Sequence, residues 1–162
     1  MSDDIQQSFQ VVSRKELDTR NIAKKISSLF HEGDLIILDG DLGAGKTHFV
    51  KGFAEGLHSQ DLVTSPTFSL ANFYRSSSSP LLHIDLYRID SETEFNDLGL
   101  YEYFDQSITI IEWGKKFSNC FDSYVLITFQ LIDHEIRQIS FSAKGVLCWE
   151  KVEKIKQELA EE

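Results

Sequence analysis

Apolar positions fall along the chain in two rhythms. Short, nearly continuous apolar runs occur at DLIILDG (34–40), LLHIDLY (81–87) and SITIIEW (107–113). Runs of this kind predict strands buried on both faces, as in a parallel sheet. Elsewhere the spacing is helical. Leu17, Ile22, Ile26, Leu29 and Phe30 make an apolar stripe within residues 13–30, and Ser13 with Glu16 forms a capping-box pattern at its start. SFQVVS (8–13) ahead of it reads as a short strand, and a second helix is predicted from about Lys46 to Leu57.

Further along, TFSLANFY (67–74) has strand composition, and the polar run Ser76–Ser79, closed by Pro80, reads as an exposed turn. SETEFNDLGL (91–100) predicts a short helix capped by Ser91, with Gly99 near its end. SYVLITFQL (123–131) and EIRQISFSA (135–143) flank a turn at Asp133–Glu135 and predict an antiparallel hairpin. A charged helix, about residues 148–162, closes the chain. Neither an internal repeat nor a linker divides the sequence. A single α/β domain over residues 1–162 is expected, with a mostly parallel central sheet and an antiparallel C-terminal portion.

The formal net charge of −10 disfavours unaided binding to nucleic acid or an anionic membrane. Two cysteines, Cys120 and Cys148, fit neither a disulfide framework nor a zinc cluster and read as ordinary thiols in a reducing compartment. The first ten residues are polar and acidic, and no apolar run approaches the ~20 residues of a membrane span. A cytoplasmic protein is therefore expected.

The candidate chemistry begins at Gly40-Asp41-Leu42-Gly43-Ala44-Gly45-Lys46-Thr47. This spacing satisfies the P-loop pattern, with an apolar strand before it and a helical pattern after it. Small residues let backbone N–H groups approach phosphate oxygens, and the helix N-terminus adds a favourable dipole. Lys46 would reach the β- and γ-phosphates, and the Thr47 hydroxyl would ligate Mg²⁺. The chain lacks the Asn-Lys-x-Asp segment that reads guanine, so ATP is the expected nucleotide.

Phosphate enzymes of this type carry an acid at the end of a second buried strand to hold Mg²⁺ or its water. Asp85 ends LLHID and Glu112 ends ITIIE, and the pattern does not decide which one touches the ion. His83 reads as a core or strand-edge histidine. Trp113, beside Glu112, reads first as packing, with nucleotide stacking left open. Arg75 and Arg88 are read as surface ion pairs before phosphate ligands. Ser65-Pro66-Thr67-Phe68 reads as a loop rich in hydroxyls. Two alternatives share the same cradle: a small-molecule kinase and a non-catalytic ATP-sensing module. The arginine-poor stretch from Ser91 to Phe121 argues against a kinase lid.

GDLGAGKT, SPTF, HIDLYR and IEWG, in this order and at this spacing, resemble the bacterial TsaE (YjeE) family. The resemblance covers about residues 16–144, and HIDLYR followed by IEWG is its most specific part. It implies a three-layer P-loop NTPase fold and a weak Mg²⁺-dependent ATPase needed for threonylcarbamoyladenosine modification of tRNA. Such a protein would work with the TsaB–TsaD pair, resetting that complex between cycles and meeting tRNA only through it. The resemblance also implies roles for residues. Lys46 and Thr47 are the phosphate and Mg²⁺ residues, Glu112 a direct metal ligand, and Asp85 the Walker-B-like acid. Thr67 falls in a switch-like segment, and Arg137 lies near the nucleotide. His48 stands where many relatives carry a second threonine, which would alter contacts near the α-phosphate.

Overall fold

The computed structural model describes residues 8–66 and 68–160. Its seven strands are β1 (Phe9–Ser13), β2 (Leu35–Asp39), β3 (Ala71–Tyr74), β4 (Leu81–Asp85), β5 (Ile108–Glu112), β6 (Tyr124–Leu131) and β7 (Arg137–Lys144). Four α-helices join them: α1 (Glu16–Ile26), α2 (Lys46–Gly56), α3 (Glu92–Asp97) and α4 (Val146–Ala160). All seven strands form one sheet in the order β1-β7-β6-β2-β5-β4-β3. The middle four, β6, β2, β5 and β4, run parallel. The expected hairpin is present as β6–β7. Two further antiparallel edges are added by β1 on β7 and β3 on β4.

The continuous apolar runs are explained by burial on both faces. On β2, Ile36 and Leu38 face one core, which holds Ala23 and Ile26 of α1, Phe49 and Phe53 of α2, and Val152 and Ile155 of α4. Leu35 and Ile37 face the other, with Phe95 of α3, Phe117 and Phe121. Helices or short 3₁₀ turns thus cover both sides, giving three layers. Each fully buried side chain of this size contributes about 1.5–3 kcal/mol relative to exposure.

The first helix differs from its predicted form. Ser13 does not cap it. It ends β1, paired with Arg137, and its Oγ donates to the Lys15 carbonyl and contacts Thr19 Oγ1 at 2.7 Å. The helix starts at Glu16 without a side-chain N-cap and gives way at Ile26 to a 3₁₀ turn over Ser27–Leu29. Strand pairing outcompeted the local pattern. The segment before β3 is likewise shorter as a strand than predicted, because residues 68–70 turn. By contrast, Ser91 caps α3 as expected, its Oγ accepting the Glu94 N–H.

The charged C-terminal helix begins earlier than predicted, at Val146, and is no mere appendage. Trp149, Val152 and Ile155 bury one stripe in the main core. Lys151 ties it down, donating to the Leu29 carbonyl at 2.9 Å and to the Asp34 carboxylate.

Candidate functional site

The central parallel strands set the site. β2 carries the chain to Asp39, residues 40–45 turn back, and α2 starts at Lys46. Gly45 makes the turn at φ +106°, and a Cβ there would stand 3.3 Å from Arg137 Nε, so a side chain is opposed by both backbone and neighbour. The first N–H groups of a helix lack an i−4 carbonyl partner, so α2 begins as a polar, electropositive end.

Lys46 is 5 % exposed. Its Nζ donates to the Gly40 carbonyl at 2.5 Å and sits 3.8 Å from the centroid of the Trp113 ring. Burial holds its ammonium below the ordinary lysine value, opposed by the charges of Glu112, Asp85, Asp39 and Asp41. A cation here is under-solvated and surrounded by anions.

Asp85 and Glu112 end neighbouring strands and are register partners. Both are buried. A buried carboxylate is costly unless its oxygens find partners. Asp85 Oδ1 accepts the Tyr87 N–H at 2.9 Å. Glu112 Oε2 lies 2.6 Å from Nε2 of the fully buried His83. The next residue, Trp113, adopts φ +62°, a left-handed conformation that costs a bulky residue about 1–3 kcal/mol. Its N–H donates to the Leu38 carbonyl, and its indole lies against Tyr87 as well as Lys46.

Arg137 heads β7 and reaches the glycine-rich loop because the β6–β7 hairpin lies beside β2. Its Nε donates to the Ala44 carbonyl at 2.9 Å, and its Nη2 to the Gly43 carbonyl at 3.3 Å. The guanidinium therefore holds the loop by its backbone. At the mouth, His48 Nε2 lies 3.2 Å from Glu16 Oε1, the first residue of α1.

These groups surround one cleft of about 350 Å³. Leu42, Gly43, Gly45, Lys46, Thr47, His48, Asp85, Glu112, Trp113 and Arg137 all line it, together with Glu16 and Ser65. Of the other predicted loop residues, Ala44 turns its methyl into the core, and Gly40 and Asp41 complete the turn. Thr67 lies outside the described residues. On its flanks, Phe68 is 86 % exposed, and the Leu70 carbonyl accepts the Asp85 N–H at 2.9 Å. Arg75 forms a surface pair with Asp61, and Arg88 lies over the Phe68 ring. Two residues of the site are given no role by the sequence, although His83 opens the HIDLYR segment. Glu16 reads as a helix cap, and His83 as core. The i, i+2 spacing of His83 and Asp85, which puts both on one face of β4, was the available clue to His83.

The donor set is two carboxylates, a hydroxyl and a buried ammonium beside a helix N-terminus. Oxygen donors of this kind suit a small hard cation, and the loop with Lys46 suits phosphate. Among the described residues, no group of three or more His, Cys, Asp or Glu side chains forms a self-contained metal cage. A cation in the cleft would take its remaining ligands from water or a bound phosphate.

Over residues 13–139 the sequence matches the family described as threonylcarbamoyl adenosine biosynthesis protein TsaE. The chain belongs to the TsaE family. Among its TsaE relatives, the tRNA threonylcarbamoyladenosine biosynthesis protein TsaE of Bacillus subtilis is 41 % identical over 139 residues, covering 82 % of this chain and 87 % of that one. The protein of the same name from Treponema pallidum is 37 % identical over 134 residues, covering 82 % and 98 %. The crystal structure of YdiB from Bacillus subtilis superposes with a TM-score of 0.80 at 31 % identity, covering 93 % of this chain and 95 % of that chain. The three-layer architecture is that of the P-loop NTPases. Among the described residues of this TsaE-family chain, no helix is long and apolar enough to cross a membrane.

Proposed function

We propose that this chain is a weak, Mg²⁺-dependent ATPase serving threonylcarbamoyladenosine modification of tRNA, and that it acts on a TsaB–TsaD complex without performing the transfer itself. The observation that carries this reading is the convergence of Lys46, Asp85 and Glu112, all buried, on the cleft of the glycine-rich loop. Lys46 would exchange the Gly40 carbonyl and the Trp113 face for phosphate oxygens, gaining an anion where burial disfavours its charge. Thr47 and Glu112 would hold Mg²⁺, with Asp85 orienting its water shell. Bound there, the ion would neutralise charge on the phosphoryl oxygens. The net charge of −10 suits a partner protein better than direct tRNA binding. Leu42, 70 % exposed at the cleft, supplies apolar surface for that partner.

The test is phosphate release from ATP by the purified chain, alone and with the TsaB–TsaD pair. Turnover without a small-molecule acceptor, raised by the complex and abolished by Lys46→Ala, is expected. Glu112→Gln and Asp85→Asn should each fold normally and lower turnover tenfold or more, the scale of a lost positioning contact. Parental rates in both variants would refute the site assignment. Nucleotide state should also change affinity for the complex by roughly 5- to 150-fold, with a reciprocal effect on ATP binding. Equal affinity with an ATP analogue, with ADP and with no nucleotide would remove the regulatory role.

A further inference from the structure

His83 is buried in the middle of β4, on the same face as Leu81 and Asp85, with the Tyr74 ring 6.2 Å away between centroids. Its Nε2 meets Glu112 Oε2 at 2.6 Å. Its Nδ1 is buried and has no hydrogen-bond partner. The contact with a carboxylate oxygen requires a hydrogen on Nε2. With hydrogen on Nε2, the ring donates to the carboxylate, and the bare Nδ1 is an acceptor left without a donor. The other neutral tautomer would set the Nε2 lone pair against a carboxylate oxygen at 2.6 Å and bury an unpaired N–H.

We propose that His83 is a positioning residue that fixes the Glu112 carboxylate. The inference rests on the Mg²⁺–nucleotide reading of the cleft. Register explains how the contact forms. His83 pairs across the sheet with Ile110, so Glu112 is its diagonal neighbour, while Asp85 is directly opposite Glu112. One oxygen of Glu112 is engaged by the imidazole from the core side. The rotamer is thereby fixed, and the carboxylate cannot swing away from the Lys46 side of the cleft. A donor behind a metal-binding carboxylate is the counterpart of the outer contacts that orient metal ligands elsewhere.

The test uses titration calorimetry of a non-hydrolysable ATP analogue, with and without Mg²⁺. His83→Leu keeps an apolar filling but removes the donor. His83→Gln can place an amide N–H close to the position of Nε2. In the parent, Mg²⁺ should raise analogue affinity. In His83→Leu, the Mg²⁺-free affinity should stay within about twofold, while the gain from Mg²⁺ falls tenfold or more, the usual scale for lost outer-sphere support. His83→Gln should recover most of the gain, and His83→Leu should add nothing in a Glu112→Gln background. An undiminished Mg²⁺ gain in His83→Leu, or equal loss with and without Mg²⁺, overturns the proposal. A parent that gains nothing from Mg²⁺ overturns the site reading itself, a separate result. ¹⁵N spectra of the unsubstituted protein provide an arm that does not depend on how His83→Leu folds. Hydrogen on Nε2 is expected, and a bare Nε2 overturns the proposal.

Discussion

The two faces of the sheet are packed by different means. On one, α1 and α2 meet backbone to backbone. A Cβ on Gly52 would stand 2.1 Å from the Arg20 carbonyl oxygen, and one on Gly56 would stand 2.6 Å from the Lys24 carbonyl oxygen. On the other, α3 and two 3₁₀ segments are joined by rings, with Phe95 stacked on Phe117 at 5.9 Å and edge-on to Phe121 at 5.8 Å. The first face leaves almost no slack, and it carries the site: Glu16 is on α1, while Lys46, Thr47 and His48 are on α2. The second is packed by buried rings and meets the cleft through Trp113 and the ends of the shared strands. Stability and ligand geometry should therefore move together on the first face and separately on the second.

The largest effect tests the second face. Phe95 is fully buried at the centre of its ring cluster, so Phe95→Ala should cost about 3–5 kcal/mol in urea unfolding. Nucleotide affinity of the folded fraction should stay at the parental value. A matching loss of affinity would mean that the aromatic layer also sets the cleft.

Gly52→Ala is the counterpart on the first face. Alanine improves helix propensity by about 1 kcal/mol, but the methyl meets backbone that cannot give way. Separation of the helices should win, with a net loss of about 1–3 kcal/mol. Nucleotide binding should weaken as well, because α2 shifts relative to Asp85 and Glu112. A variant that is less stable yet binds normally would break the proposed coupling. The smaller Ser91→Ala change removes the cap of α3 and should cost about 1 kcal/mol, again with binding unaltered.

The same contrast explains what could be read along the chain. β2, β4 and β5 were visible as apolar runs because a strand buried on both faces needs nothing else. Their acidic ends and the glycine spacing then marked Lys46, Thr47, Asp85 and Glu112, since these depend on order along one strand or turn. The ring-packed face was much less legible, because the 3₁₀ segments Leu100–Gln106 and Lys115–Cys120 have no sustained period. Ser13 misled because a local capping pattern was overridden by pairing with a strand more than a hundred residues away. The His83–Glu112 and Glu16–His48 contacts were hidden for a related reason. The first needs the β4–β5 register and the second the α1–α2 packing, and neither is written in spacing.

Arg137 gives the smallest stability effect and the sharpest separation. Its guanidinium is partly exposed, and its bonds go to loop carbonyls, not into a core. Arg137→Ala should therefore cost no more than about 1 kcal/mol in unfolding free energy, the net scale of hydrogen bonds that water can replace. Binding should respond more strongly. Two carbonyls of the loop lose their common donor, and a positive charge leaves the cleft. A charge-assisted hydrogen bond of about 1.5–3 kcal/mol implies at least a tenfold rise in Kd for the ATP analogue. Arg137→Lys distinguishes the two causes. Lysine keeps the charge but has no planar fork to span the Gly43 and Ala44 carbonyls together. If loop geometry is what Arg137 supplies, the lysine variant should bind nearly as poorly as the alanine variant. If the lysine variant recovers the parental Kd, charge alone is responsible, and the loop is held by its own turn.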